Sequence, residues 1–289
     1  MSELVGSCPG WKPFSVDFTF LKNAVNTVNI VSTEAYATLR YVVPASITWV
    51  WRKYITNEIK TIPIEITVDK VKNVAYLNIH GNCSQFKKGQ DVYSVLLGHG
   101  DYAHPYTILH LADIAQKEGR PTFSLYIPGI ENNKAFSLHN QFLKQAIDKI
   151  ENLVKDDQGL FKGVLGAGHS KFAIVFAQRQ YVVIDSRIKG MCSIAGRLNI
   201  PNEEDSSDPL LKTIIRAIYR GILKNPESPI MQIVPKDDWN AAYEAMAVRP
   251  HKYCYTVPGM HLSGLYTRET RTHFTDFLNE FSPQQAVVV

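Results

Sequence analysis

Gly163-Val164-Leu165-Gly166-Ala167-Gly168-His169-Ser170-Lys171-Phe172-Ala173-Ile174 carries the reading of the whole chain. It describes a short apolar strand, a tight turn holding Gly168-His169-Ser170, and the first turn of a helix. A serine at the tip of such a turn is held with its hydroxyl outward. On its own the Gly-His-Ser tripeptide is equally an ordinary strand-end turn, so the flanks must decide.

Working outward, the same alternation of strand and helix recurs on both sides. Upstream, apolar residues from Phe136 to Val154 repeat at helical spacing. Thr122–Ile127 is a strand halted by Pro128-Gly129, and Pro105–Glu118 is a helix stopped at Gly119. Val74–Ile79 is a nearly continuous apolar run, as expected of a strand buried on both faces, and it leads into His80-Gly81-Asn82-Cys83. Before it, Ile62–Val68 alternates like a half-exposed strand. The polar, glycine-containing stretch from Phe86 to Tyr102 reads as an insertion near the site. Downstream, strands are expected over 188–196, 229–235 and 252–257, with an amphipathic helix over Pro209–Lys224 and a closing helix around Phe274–Phe281. Repeated strand–helix alternation implies a mostly parallel sheet with helices on both faces, an α/β fold.

Acyl transfer needs a nucleophile, a base, a carboxylate that fixes the base's tautomer, and donors for an oxyanion. In open α/β sheets such groups gather at the carboxyl ends of strands. Here Ser170, Asp238 and His261 each follow an expected strand, in the order Ser, Asp, His. On these residues the chain resembles the α/β-hydrolase superfamily over residues 62–281, with Gly168-His169-Ser170 matching the start of its Gly-x-Ser-x-Gly nucleophile elbow. The resemblance implies a serine hydrolase acting on an ester or acyl-lipid. It makes Ser170 the nucleophile, His261 the base and Asp238 the acid, with Asp237 a close rival and Glu203, Glu204 and Asp205 distant ones. By the same resemblance the backbone N–H of Lys171 and that of Asn82 or Cys83, after His80-Gly81, would hold the oxyanion. One position departs from the pattern: Phe172 stands at the second Gly. A benzyl group where strand and helix nearly touch is expected to push one of them aside, tilting the elbow. A binding protein on a drifted hydrolase fold is the alternative that this departure allows.

The expected organisation is an N-terminal extension over residues 1–60 packed on an α/β-hydrolase domain over 61–289, with a helical cap inserted around 197–228. On that cap, Lys212, Arg216, Arg220 and Lys224 form a basic stripe. The stripe is either a solvated face or a contact with an anionic membrane surface through Arg216 and Arg220. In the extension, Pro44 is expected to interrupt the apolar stretch 41–50. The aromatic–basic cluster Trp49, Trp51, Arg52, Lys53 and Tyr54 suits a membrane surface or, more commonly, packing on its own domain.

Composition bounds the rest. With 289 residues, 45% hydrophobic and 20% charged, the chain has the make-up of a globular protein. A net charge of +4 without a clustered patch gives no case for nucleic acid. Cys8, Cys83, Cys192 and Cys254 are far apart and form no CxxC pair, so free thiols are expected. His99, Asp101, His104 and His110 match no common metal-ligand spacing, and no metal or cofactor is expected. No run approaches the roughly 18 apolar residues of a membrane span, and the first residues lack a basic-then-apolar leader, so a cytoplasmic protein is expected.

Overall fold

The apolar runs on either side of Ser170 fold into one eight-stranded sheet, ordered β1-β2-β4-β3-β5-β6-β7-β8. A computed structural model describes residues 31–81, 92–101, 103–132, 135–155, 160–198, 208–224, 230–238 and 253–281. The strands are β1 (Ile59–Val68), β2 (Val71–His80), β3 (Ser94–Gly98), β4 (Thr122–Tyr126), β5 (Val164–His169), β6 (Ile188–Ile194), β7 (Ile230–Pro235) and β8 (Cys254–Val257). From β3 to β8 every pairing is parallel. β3, β5 and β7 are buried at every position, because helices cover both faces of a parallel sheet. At the edge, β1 and β2 form a hairpin whose two-residue turn, Asp69-Lys70, has both residues at positive φ, the geometry that matches strand twist.

Helices fill two layers. On one face α3 (Phe136–Val154), α4 (Lys171–Gln178) and α5 (Pro209–Lys224) share a core containing Phe142, Ile147, Phe172, Phe176, Ile215 and Ile218. On the other, α2 (Leu109–Lys117) and α6 (Arg268–Glu280) enclose Leu111, Leu165, Ile194, Ile233, Phe274 and Phe277.

Residues 31–55 form one continuous helix, α1, in which α-helical turns alternate with π-helical turns at Thr38–Val42 and Trp51–Ile55. Pro44 does not break it, contrary to expectation. It falls at the start of the α-helical stretch Val43–Val50, immediately after a π turn. The wider turn relieves the clash that a proline ring makes with the carbonyl one turn earlier. α1 packs on the α2–α6 side: Tyr41 stacks on Tyr266 at 4.8 Å, and Trp49 is buried with Ile59 and Leu109. Arg52 bonds Asp113 on α2. The part of the expected extension that is described is therefore docked, while residues 1–30 lie outside the described residues. Among the described residues no helix is long and apolar enough to cross a membrane.

Candidate active site

The strand order reverses between β3 and β5. From β3 the chain moves on to β4 on one side, and from β5 it moves to β6 on the other. A crevice opens at the carboxyl ends of two strands that part in this way. Ser170 follows β5 there, and the loop 99–101 follows β3.

Ser170 adopts φ 54°, ψ −123°, a conformation that costs a non-glycine residue energy and is held by its surroundings. Its N–H donates to the carbonyl of Ile194 at 2.8 Å, and its own carbonyl accepts from Ala173 N–H at 3.1 Å. The turn is tight enough that a Cβ at Gly168 would lie 2.5 Å from Ala173 N. That contact explains why the first glycine of the elbow is needed.

Phe172 does not push helix and strand apart as expected. Its ring fills the space over Gly98 of the neighbouring strand, where a Cβ would come within 2.0 Å of the ring carbons. Four residues on, Phe176 uses Gly166 in the same way, with a Cβ there meeting its ring at 2.8 Å. The glycine missing from the helix has its counterpart on β3, and Phe172 is completely buried.

Asp238 follows β7 and His261 follows β8. His261 Nδ1 and Asp238 Oδ2 are 2.7 Å apart, and the Asp238 side chain is only 1% exposed. Two backbone hydrogen bonds lace the loops that carry them: Lys236 N–H to Val257 O at 2.8 Å and Asp237 N–H to Gly259 O at 3.1 Å. Asp237 thus meets the histidine loop through its backbone, and Asp238 meets it through its carboxylate. The bond to Asp238 occupies Nδ1 and leaves Nε2 for the cavity that His261 and Ser170 both line. No direct Ser170–His261 hydrogen bond is formed among the described residues; such contacts commonly tighten only with substrate in place. The cavity holds about 460 Å³ and is also walled by Thr38, Val42, Tyr106 and Leu262. Burial pushes His169, which touches His261 O at 3.1 Å, down to about 3. A neutral His169 donates its Nε2–H to that carbonyl and steadies the backbone of the histidine loop.

The strand that leads to the expected second oxyanion donor, Asn82 or Cys83, runs against the others. β2, which ends in His80, runs antiparallel to β4, with His80 beside Thr122, the first residue of β4. Thr122 in turn is level with Val95 near the start of β3. β2 therefore ends, at His80-Gly81, beside the amino ends of the parallel strands, roughly 10 Å or more from the crevice. Asn82 and Cys83 themselves lie outside the described residues. The loop that reaches Ser170 is His99-Gly100-Asp101. A Cβ at Gly100 would stand 2.9 Å from Ser170 Cβ and 2.8 Å from His169 Nδ1, so the approach requires glycine. His99 Nδ1–H donates to Gly100 O at 2.8 Å and fixes the loop. The signal was present in the sequence: Ser94-Val95-Leu96-Leu97 is an apolar run ending in its own His-Gly pair.

Two further features of the site come from α1. Its Thr38 and Val42 roof the cavity. The Glu34 carboxylate accepts from Leu262 N–H at 3.2 Å, Ser263 N–H at 3.4 Å and the Ser263 hydroxyl at 3.2 Å, which grips the loop just past His261. By contrast, α5, expected as the cap, buries Ile214, Ile215, Ile218 and Ile222 in the core beside α4, and none of its residues lines this cavity. Much of 197–228 lies outside the described residues. The Lys171 side chain is buried, with Nζ donating to Glu131 O at 2.6 Å. Burial lowers its pKa against the opposing pull of Asp101, Glu131 and Asp208. Among the described residues no metal-binding cluster of His, Cys, Asp and Glu is present.

No family model matches the sequence, and no curated protein matches it. Solved structures do match. A cold-adapted esterase from an Arctic intertidal metagenomic library aligns with a TM-score of 0.55 at 16% identity, covering 78% of this chain and 95% of that one. Est1E from Butyrivibrio proteoclasticus aligns at 0.54 and 17%, covering 75% and 98%. The fluorophosphonate-binding serine hydrolase FphF from Staphylococcus aureus aligns at 0.51 and 11%, covering 76% and 99%. At these identities the likeness is one of fold: an α/β-hydrolase fold.

Proposed function

With the α/β-hydrolase fold as premise, we propose that this chain is a serine hydrolase that cleaves carboxylic esters or acyl-lipids through an acyl-enzyme on Ser170. The observation that carries the proposal is a serine held at positive φ at the β5–α4 turn. It shares a cavity with a histidine whose other ring nitrogen is bonded to a buried carboxylate. The esterases and serine hydrolase with the same fold support it.

In the first half-reaction Ser170 Oγ attacks the carbonyl carbon while His261 Nε2 takes its proton. The same proton then passes to the departing alkoxide, and the acyl group stays on Ser170. In the second half-reaction water attacks that ester with His261 again as base, which frees the acid. Asp238 holds Nδ1–H, keeps Nε2 in acceptor form, and stabilises the imidazolium as it forms. The developing oxyanion is met by the N–H of Lys171, at the start of α4, where the helix dipole also favours negative charge. Its second donor comes from the 99–101 loop. Each such donor is worth about 3 kcal/mol. A cavity of this size, mostly apolar in its walls, suits a small or single-chain acyl ester.

Turnover of p-nitrophenyl butyrate tests the proposal. Ser170→Ala should lose about four orders of magnitude or more, with its melting temperature little changed. An alanine variant as fast as the parent would sink the hydrolase reading and favour a binding protein built on this fold.

A further inference from the structure

One surface of the molecule is not explained by the fold or by the chemistry. Along α1, Tyr36, Leu39, Val43, Ile47, Val50 and Tyr54 recur at three- and four-residue spacing, so they fall in a single stripe. All six are exposed, Leu39 by 70%, Ile47 by 66% and Tyr54 by 67%, and Trp51 beside them by 58%. The opposite face of the same helix makes its attachments: Glu34 to the His261 loop, Tyr41 on Tyr266, Trp49 in the core, and Arg52 to Asp113. At about 1.5 Å per residue the stripe runs for more than 25 Å. A continuous apolar face of this length marks a contact surface.

We propose that the outer face of α1 docks on an anionic lipid surface. Three observations select lipid as the occupant. The stripe mixes aliphatic residues with Tyr36, Trp51 and Tyr54, the aromatic side chains that settle at a membrane–water interface. Among the described residues of α1, the charges beside the stripe are positive. Arg40 lies against the Tyr36 and Tyr41 rings and Lys53 against the Tyr54 ring, while Glu34, the one acid in residues 31–55, is turned inward to the histidine loop. A second copy meeting this face across a two-fold axis would bring positive charge to positive charge, which a lipid surface of opposite charge does not. The apolar stripe also lies along the cavity roof, since Thr38 and Val42 belong to the same helix.

Resting on the hydrolase reading above, the consequence is a substrate class: acyl esters held in or partitioned into a membrane, presented to Ser170 beneath the docked helix. α5, whose Arg216 and Arg220 were the sequence-based candidates for membrane contact, packs on the opposite face of the sheet from α1. It serves as the control surface.

The test is sedimentation with phosphatidylcholine vesicles containing phosphatidylglycerol, at low and at moderate salt, alongside turnover of soluble p-nitrophenyl butyrate. The parent should sediment with the vesicles, more weakly as salt rises. Ile47→Glu with Trp51→Glu should weaken binding at least about tenfold. Arg216→Glu with Arg220→Glu should change it less than about twofold. Both variants should keep soluble-ester turnover, since neither touches the cavity. Binding lost in the α1 variant from a parent that never hydrolyses the soluble ester would sustain docking and sink the hydrolase reading. A parent that does not bind at low salt overturns the proposal, as does an α1 variant that binds like the parent. Light scattering that shows a dimer dissolved by the α1 substitutions, without vesicle binding, would make the face a contact between copies and overturn it too.

Discussion

If Phe172 is admitted to the elbow by Gly98, the two positions must be energetically coupled. Gly98→Ala places a methyl 2.0 Å from the Phe172 ring, where carbon atoms at rest stand at about 3.5–4.0 Å, so helix or strand must yield by more than 1 Å. Overpacking of this kind costs typically 1–3 kcal/mol and sometimes more. Phe172→Ala removes a fully buried ring and leaves a cavity, at about 3–5 kcal/mol. In the double variant the new methyl enters space that the ring has vacated, so the clash disappears and part of the cavity is filled. The double variant should then be more stable than the sum of the single losses predicts, by about 1–3 kcal/mol. Urea unfolding of the parent, both singles and the double gives the cycle directly, with unchanged m-values as the check on two-state behaviour. Additivity within about 0.5 kcal/mol would refute the account of how this elbow does without its second glycine.

Three other consequences can be measured on the same protein. Asp238→Asn should lower ester turnover by about four orders of magnitude, whereas Asp237→Asn, whose contact with the histidine loop is through backbone, should change it only slightly; the reverse pattern would reassign the acid. Glu34→Gln weakens three hydrogen bonds to the loop after His261 and should lower kcat about tenfold with KM for a short ester little moved, a split that general destabilisation would not produce. Burial holds His80, His110 and His169 at about 3 and His99 at about 4, below the ordinary 6.5. The unfolded chain takes up protons that the folded chain refuses, so stability should fall as pH drops from 6.5 towards 4, each histidine adding a slope of up to about 1.4 kcal/mol per pH unit. A flat stability profile across that window would show that these rings are not kept neutral.

The elbow was legible because its signal is local: an apolar strand, a Gly-His-Ser turn and a helix start lie within twelve consecutive residues. Asp238 and His261 were legible because each follows an apolar strand, and strand ends are where an α/β sheet gathers its site. What the local pattern does not encode is strand direction. Val74–Ile79 is as apolar as a parallel strand, but it pairs antiparallel to β4, and this carries His80-Gly81 to the wrong end of the sheet. The 99–101 loop that approaches Ser170 was hidden because β3 is only five residues long and sits beside a polar stretch. The amphipathic pattern of Pro209–Lys224 fits a cap or a layer helix equally well, and only the packing of Ile215 and Ile218 beside Phe172 and Phe176 distinguishes them. In α1 the proline argued for a break, and π-helical turns, which have no clear sequence signature, allowed the helix to continue over the cavity.

The central claim is that Ser170 is a nucleophile activated by His261. Its most direct measurement is the intact mass of the protein after incubation with a fluorophosphonate, followed by peptide mapping. The account predicts one phosphonyl adduct per chain, on the peptide carrying Gly168-His169-Ser170, absent in Ser170→Ala and much slower to form in His261→Ala. A parent that stays unmodified, or one labelled equally well without Ser170, would contradict it.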